Sequence, residues 1–244
     1  MSRPLALVVR APGTNRDGDV SLALELAGAE PRVVLTAELL GNQTVLEAAR
    51  ILVLAGGFSY ADALGAGRAL AFELELGLGD RLTSFVASGR PVIGICNGFQ
   101  TLVRTGLLPG GGARVALAPN DTGRFECRWV GLAPVSQHCV WTAGLDQLID
   151  CPIAHGEGRF ECDADTLASL RANDQIALTY VGPNPNGSLD AIAGITDTTG
   201  VVLGLMPHPE NHVLERQFPR HSRGERGGLG LTIFESGVRY AKEL

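Results

Sequence analysis

Lysine is nearly missing from this chain. Of its 20 basic residues, only Lys242 is not an arginine. A glycine-rich phosphate loop of the G-x-x-x-x-G-K-[ST] type needs a lysine in context, so none can be present, and no cofactor is expected on this chain. No apolar run approaches the roughly 20 residues of a membrane helix. Leu5 to Val9 is too short for the core of a signal peptide, and Arg10 ends it before any small-residue cleavage site. The five cysteines are odd in number and contain no C-x-x-C pair, which excludes a disulfide framework and fits a reducing compartment. Cys127, Cys139, Cys151 and Cys162 are spaced nearly evenly but lack the close ligand pairs of a zinc site, so no metal is expected. The net charge is -6, and no basic stripe occurs outside Arg216 to Arg226, so nucleic acid is not an expected partner. These absences describe a cytoplasmic protein that does not engage a membrane.

Hydrophobic residues make up 45% of the 244, without repeats or low-complexity stretches, enough for the aliphatic core of one large α/β domain over 1–244. Short buried strands are expected at Leu5 to Arg10, Arg32 to Thr36, Ile51 to Leu54 and Val92 to Ile95. Helical spacing of Val20, Leu24 and Ala27 predicts a helix capped by Asp17 or Asp19 and stopped by Gly28. Two further helical segments are expected at Ala66 to Leu76 and Arg81 to Ala87. Strand and helix in alternation indicate a parallel sheet that binds ligands at the carboxyl ends of its strands.

After Gly110-Gly111-Gly112 the pattern changes. Arg114 to Leu117, Arg124 to Val130 and Cys139 to Trp141 read as strands of an antiparallel extension or edge of the sheet, and a further strand near Ile149 to Ala154 precedes His155 to Arg159. A helix near Asp165 to Ala172, a strand at Ile176 to Val181, a turn-rich loop at Asn184 to Ser188 and a hairpin of Leu189 to Ile195 with Val201 to Leu205 complete the chain.

The stretch with chemical content is Gly94-Ile95-Cys96-Asn97-Gly98-Phe99-Gln100. It is the thiol counterpart of the G-x-S-x-G elbow, in which a strained strand-to-helix turn presents a nucleophile. The partial positive charge of the helix start favours a thiolate at Cys96, and the Asn97 N–H faces the developing oxyanion. Gly56 and Gly57, after another apolar strand, are candidates for the second oxyanion donor because no Cβ blocks close approach. A thiol nucleophile needs an imidazole and an orienting carboxylate. His208 and Glu210 have i, i+2 spacing, and so do His155 and Glu157. Prolines on both sides of His208 predict an extended, rigid segment, whereas glycines predict a mobile loop around His155, and rigidity favours the first pair.

With Pro12-Gly13-Thr14-Asn15, Gly56-Gly57-Phe58-Ser59-Tyr60, the Gly94 to Gln100 run, Pro152 to Arg159, Asn184 to Ser188 and Met206 to Glu210 in place, the sequence resembles the class I glutamine amidotransferases nearly end to end. Within them it resembles the glutaminase subunits of phosphoribosylformylglycinamidine synthases. The resemblance implies a flavodoxin-like, mostly parallel sheet flanked by helices, with Cys96 as nucleophile, His208 as base and Glu210 as its orienter. It implies that Gln100 and Gly57 line a glutamine site, with His155, Glu157 and Arg159 near it or at a partner interface. The implied partners are glutamine, a synthetase large subunit that uses Mg-ATP to make formylglycinamidine ribonucleotide, and a small accessory subunit. Three positions depart from the usual pattern: Ala61 stands where glycine is frequent, Gly65 where arginine is frequent, and Arg16 where cysteine is frequent. A cysteine hydrolase or chaperone bearing the same elbow, and a noncatalytic regulatory subunit, are the alternative readings. Glutaminase activity separates them.

Overall fold

The computed structural model describes residues 3–42 and 44–244. Strands form where the apolar runs are uninterrupted. β1 (Leu5–Arg10), β3 (Ile51–Leu54), β4 (Val92–Ile95) and β11 (Val202–Leu205) lie side by side with β2 (Glu30–Leu35) as the outer strand, in the order β2-β1-β3-β4-β11, all parallel. Every residue of β3, β4 and β11 is buried, as expected of parallel strands covered on both faces. Numbered among themselves these strands run 2-1-3-4-5, the flavodoxin-like order. Cys96 follows β4, and Gly56 and Gly57 follow β3, so both come to the carboxyl edge of one sheet.

The sheet continues from β11 through β10 (Ile192–Thr196), β9 (Ile176–Val181), β6 (Glu126–Pro134) and β7 (Ile149–His155), each antiparallel to its neighbour, to make nine strands. Burial alternates along β7, with Ile149, Cys151, Ile153 and His155 on the buried face. β5 (Val115–Pro119) leaves this sheet and pairs with β8 (Glu157–Cys162) as a separate ribbon. The helices are α1 (Asp17–Leu26), α2 (Thr36–Gly41), α3 (Thr44–Ala48), α4 (Arg68–Ala87), α5 (Asn97–Arg104), α6 (Ala164–Ala172) and α7 (Leu231–Glu243). α1 packs on α7, and α4 on α5.

Several elements differ from the sequence expectation. The segments expected at 66–76 and 81–87 are one helix, α4, which starts only at Arg68 after the left-handed Gly67. Gly77, Gly79 and Asp80 weaken its local propensity, but Leu70, Leu74, Leu78, Leu82 and Phe85 keep an unbroken buried stripe, so tertiary packing decides. α2 and α3 were not anticipated, and Thr36 opens α2 rather than ending β2. Asp17 and Asp19 lie in the first turn of α1 rather than at its cap, which is Arg16. Leu189–Ala191 is a 3-10 turn ahead of β10. Cys139 to Trp141 is a turn, not a strand. Its apolar residues are there to bury Trp141, whose indole N–H donates to Val201 O at 3.1 Å beneath α7.

Two glycines in helices should respond oppositely to the same substitution. A Cβ on Gly237 of α7 would sit 2.2 Å from the Trp141 ring, whereas a Cβ on Gly79 of α4 meets nothing within 4 Å. Gly237→Ala should therefore destabilise the fold by about 1–3 kcal/mol through overpacking. Gly79→Ala should stabilise it by about 0.5–1 kcal/mol through helix propensity. Urea unfolding midpoints of the two variants check both signs.

Candidate active site

The backbone at Cys96 has φ 52 and ψ -106, a conformation a non-glycine residue holds only under constraint. The constraint is close packing of the strand end against the helix start. A Cβ on Gly94 would lie 2.6 Å from Gly98 O, and one on Gly98 would lie 2.0 Å from Leu54 O. No side chain fits at either position, so β4 and α5 meet at a distance only glycines permit. Cys96 is buried, with its sulfur 3.8 Å from the main-chain O of Ala154 on β7. The antiparallel half of the sheet thus reaches back to the nucleophile.

His208 follows β11, the neighbour of β4, and its N–H donates to Pro152 O at 2.8 Å. The His208 Nδ1–H donates to Glu210 Oε1 at 2.7 Å, and both side chains are buried. Pro209–Asn211 is a 3-10 turn rather than extended chain. The pairing expected from i, i+2 alternation is therefore made by a turn. Gly56 leaves room for this imidazole, since a Cβ there would lie 2.8 Å from His208 Cε1. Burial acts most strongly on the ring and opposes its charge. The Glu210 carboxylate and the Cys96 sulfur outweigh that effect together, by charge and by hydrogen bonding, and raise the His208 pKa to about 10.

A cavity of about 160 Å³ opens at Cys96, and Gly57, Gln100, His155 and Glu157 all line it. The structure therefore brings together most of the residues singled out from sequence. Arg159 is the exception. It lies farther along β8 on another groove, where its Nε–H donates to Pro119 O at 3.0 Å and it pairs with Glu161 at 2.9 Å. The amide N–H groups of Asn97, at the first position of α5, and of Gly57 make no hydrogen bond among the described residues. The Asn97 side chain has a separate role: Oδ1 accepts from the Ser59 hydroxyl, and Nδ2 donates to Asp62 Oδ1 at 3.0 Å and Gln100 Oε1 at 3.1 Å.

His155 is not in a mobile loop. It ends β7, and Glu157 begins β8. Its Nδ1–H donates to Asn120 Oδ1 at 3.0 Å, and Asn120 Nδ2 is held by His155 O and Arg124 O at 2.8 and 2.9 Å, so the tautomer is set with a bare Nε2. Burial, with His208 as a second influence, lowers the His155 pKa to about 4. The two histidines thus have opposite charge states near neutrality. Sequence reasoning missed Asp62, Asn120, Phe58 and Phe125 as parts of this site. Asp62 lay beside a quoted motif, but Asn120 carries no local signal and reaches the site only through tertiary contact. Ala61 takes φ 54 in a left-handed run from Tyr60 to Asp62, the conformation that explains why glycine is frequent there. Gly65 has φ 100, and the Arg104 guanidinium lies 3.6 Å from where its Cβ would stand.

Known proteins resemble this chain along its whole length. The family model for the CobB/CobQ-like glutamine amidotransferase domain matches residues 3–241. The phosphoribosylformylglycinamidine synthase subunit PurQ of Treponema denticola is 47% identical over 98% of this chain and 99% of its own. That of Dehalococcoides mccartyi is 44% identical over 100% of both chains. Among solved structures, that of PurLQS from Thermotoga maritima contains a chain 33% identical, with a TM-score of 0.79 over 98% of this chain and 99% of that one.

Two measurements follow from the charge states. Glu210→Gln removes the carboxylate that offsets burial, so the His208 pKa should fall and less imidazolium should face the sulfur at neutral pH. Iodoacetamide labelling of Cys96 at pH 7 should then slow by roughly tenfold or more. For His155 the folded pKa of about 4 lies below the ordinary 6.5, so the unfolded chain takes up the proton first as pH falls. Stability is unaffected above pH 6.5 and is lost between 6.5 and 4, by about 3 kcal/mol. Unfolding free energies of His155→Gln and the unsubstituted protein, measured across that window, should converge by this amount as pH falls.

Proposed function

The chain belongs to the CobB/CobQ-like glutamine amidotransferase domain family, in its phosphoribosylformylglycinamidine synthase PurQ branch; from that membership we propose that it hydrolyses glutamine through Cys96, His208 and Glu210 and supplies the ammonia to a synthetase. As a member of that branch it is an enzyme, the glutaminase subunit for the amidine-forming step of purine biosynthesis. The observation that carries the catalytic assignment is the convergence of Cys96, in its positive-φ elbow at the cavity, with the buried His208–Glu210 pair.

In this reading the imidazolium of His208 faces the sulfur of Cys96 as a thiolate. The sulfur attacks the side-chain amide carbon of glutamine, and negative charge moves to the carbonyl oxygen. The N–H groups of Asn97 and Gly57 receive it in this reading. Collapse of the tetrahedral species breaks the C–N bond as His208 gives its proton to the leaving amine, which departs as ammonia. His208, now neutral, takes a proton from water, which attacks the glutamyl thioester; glutamate leaves and the thiolate is restored. Glu210 keeps Nδ1 protonated throughout, so that Nε2 does the proton transfer.

The name of the PurLQS assembly supports two partners, a synthetase corresponding to PurL and a small subunit corresponding to PurS. Mg-ATP belongs to the synthetase in this proposal, in keeping with the single lysine and the missing phosphate loop of this chain. No helix among the described residues is long and apolar enough to cross a membrane. A cytoplasmic site of action, in one amidotransferase domain over 1–244, completes the proposal.

Cys96→Ala, assayed in the complex with the synthetase, should abolish glutamine-dependent amidation and leave ammonia-dependent amidation intact, because only amide cleavage needs the thiolate. Glutamine-dependent turnover that survives the substitution would remove Cys96 from the mechanism.

A further inference from the structure

The loop between β1 and α1 takes no part in the chemistry described above, yet it clamps the segment that carries Gly57. Gly13 O accepts from the Phe58 N–H at 3.1 Å, Pro12 O accepts from the Tyr60 N–H at 2.7 Å, and Thr14 and Gly57 form a β-bridge. Gly56 O accepts from the main-chain N–H groups of Asn15 and Arg16 at 3.4 and 3.3 Å. In a trans peptide the C=O and N–H point in opposite directions, so a carbonyl held by this loop turns the Gly57 N–H away from it. That N–H is one of the two that receive the oxyanion in the reading above. The approach is close: a Cβ on Gly57 would lie 2.7 Å from Asn15 N.

The same loop reaches the other half of the machinery through Asp19, in the first turn of α1. Asp19 Oδ2 accepts from Arg16 Nη1 at 3.1 Å and, across 192 positions of chain, from Asn211 Nδ2 at 3.0 Å. Asn211 ends the 3-10 turn that carries Glu210, and its N–H donates to His208 O at 3.2 Å. The His208 ring lies over Gly56, where a Cβ would stand 2.8 Å from Cε1. The contacts close a circuit: Gly56 to Arg16, Arg16 to Asp19, Asp19 to Asn211, Asn211 to His208, and His208 back to Gly56. One carboxylate oxygen joins its two sides. The Asp19 side chain is 41% exposed, so its ion pair with Arg16 contributes little to stability, and its consequence is geometric.

We infer that Asp19 is a positioning residue for amide cleavage, which holds the His208–Glu210 turn in register with the loop that presents the Gly57 N–H. This rests on the glutaminase reading above. The competing role is that of a negative charge favouring the start of a helix. Asp17 shares that role, since it lies in the same turn, but it pairs with Arg10 at 3.4 Å instead of with the catalytic turn.

The test is ammonia release from glutamine by the complex with the synthetase. Asp19→Ala should lower kcat by roughly ten- to a hundredfold, the scale of a misplacement of about 1 Å between reacting groups, and leave KM within about threefold. Asp19→Asn keeps an acceptor for Asn211 and should restore kcat to within about threefold of the unsubstituted complex. Asp17→Ala removes the same charge from the helix start and should leave kcat unchanged. Asn211→Ala should act as Asp19→Ala does, and the two together should cost no more than either alone, because they remove one contact. Equal kcat losses in Asp17→Ala and Asp19→Ala would reduce Asp19 to a helix-end charge. Losses that multiply in the double variant would show that Asp19 and Asn211 act separately, and an unchanged kcat in Asp19→Ala would show that the circuit positions nothing. Each of these results overturns the inference and leaves the glutaminase reading in place. Failure of the unsubstituted complex to release ammonia from glutamine would remove that reading and this role with it.

Discussion

A carboxylate taken wholly out of water must be paired, and Glu210, 1% exposed, has the His208 ring as its partner. Much of the surrounding structure serves this one contact. His208 is tied to β7 through Pro152 O, Gly56 is bare so that the ring can lie over it, and the 3-10 turn after Pro209 returns the carboxylate to Nδ1. Because the pair is buried, the imidazole holds its proton far above its ordinary pKa, and the nearby sulfur gains a cationic neighbour without any arginine or lysine in the cavity.

The second constraint is the distance between β4 and α5. Leu54 O, Gly94 and Gly98 meet so closely that the chain between them has one conformation available, and Cys96 takes it at positive φ. The strain, of the order of 1–3 kcal/mol, is supported by β4 and by its neighbours β3 and β11, all three fully buried. The nucleophile is thus positioned by the sheet, while His155 and Glu157, which line the same cavity, come from the junction of β7 and β8. Opposite pKa shifts of the two histidines follow from one difference: His208 has a carboxylate and His155 has an amide.

Most of the parallel half was legible. Ile51 to Leu54, Val92 to Ile95 and Val202 to Leu205 are apolar runs with few other uses, and the elbow glycines mark the turn between strand and helix. The second half was less so. β5 and β8 form a ribbon of their own, and Cys139 to Trp141 is apolar because it is buried under a helix, a cause that single-chain periodicity does not distinguish from a strand. α4 was broken in the reading at Gly77 to Asp80 because propensity is local, whereas the stripe from Leu70 to Phe85 is stabilised by what packs against it.

What the sequence determined by itself is the chemistry available: a cysteine between glycines after a buried strand, and two histidines each two residues from a glutamate. These are local patterns, and local backbone geometry follows from them. Which histidine is charged, which acid lies in the cavity and which arginine lies outside it were decided only by the tertiary structure. Asn120 lies 35 positions before the histidine it orients, and Asp62 the same distance before the Asn97 that holds it. Charge state depends on burial and on neighbours brought from distant positions, and nothing in the spacing of a motif encodes either.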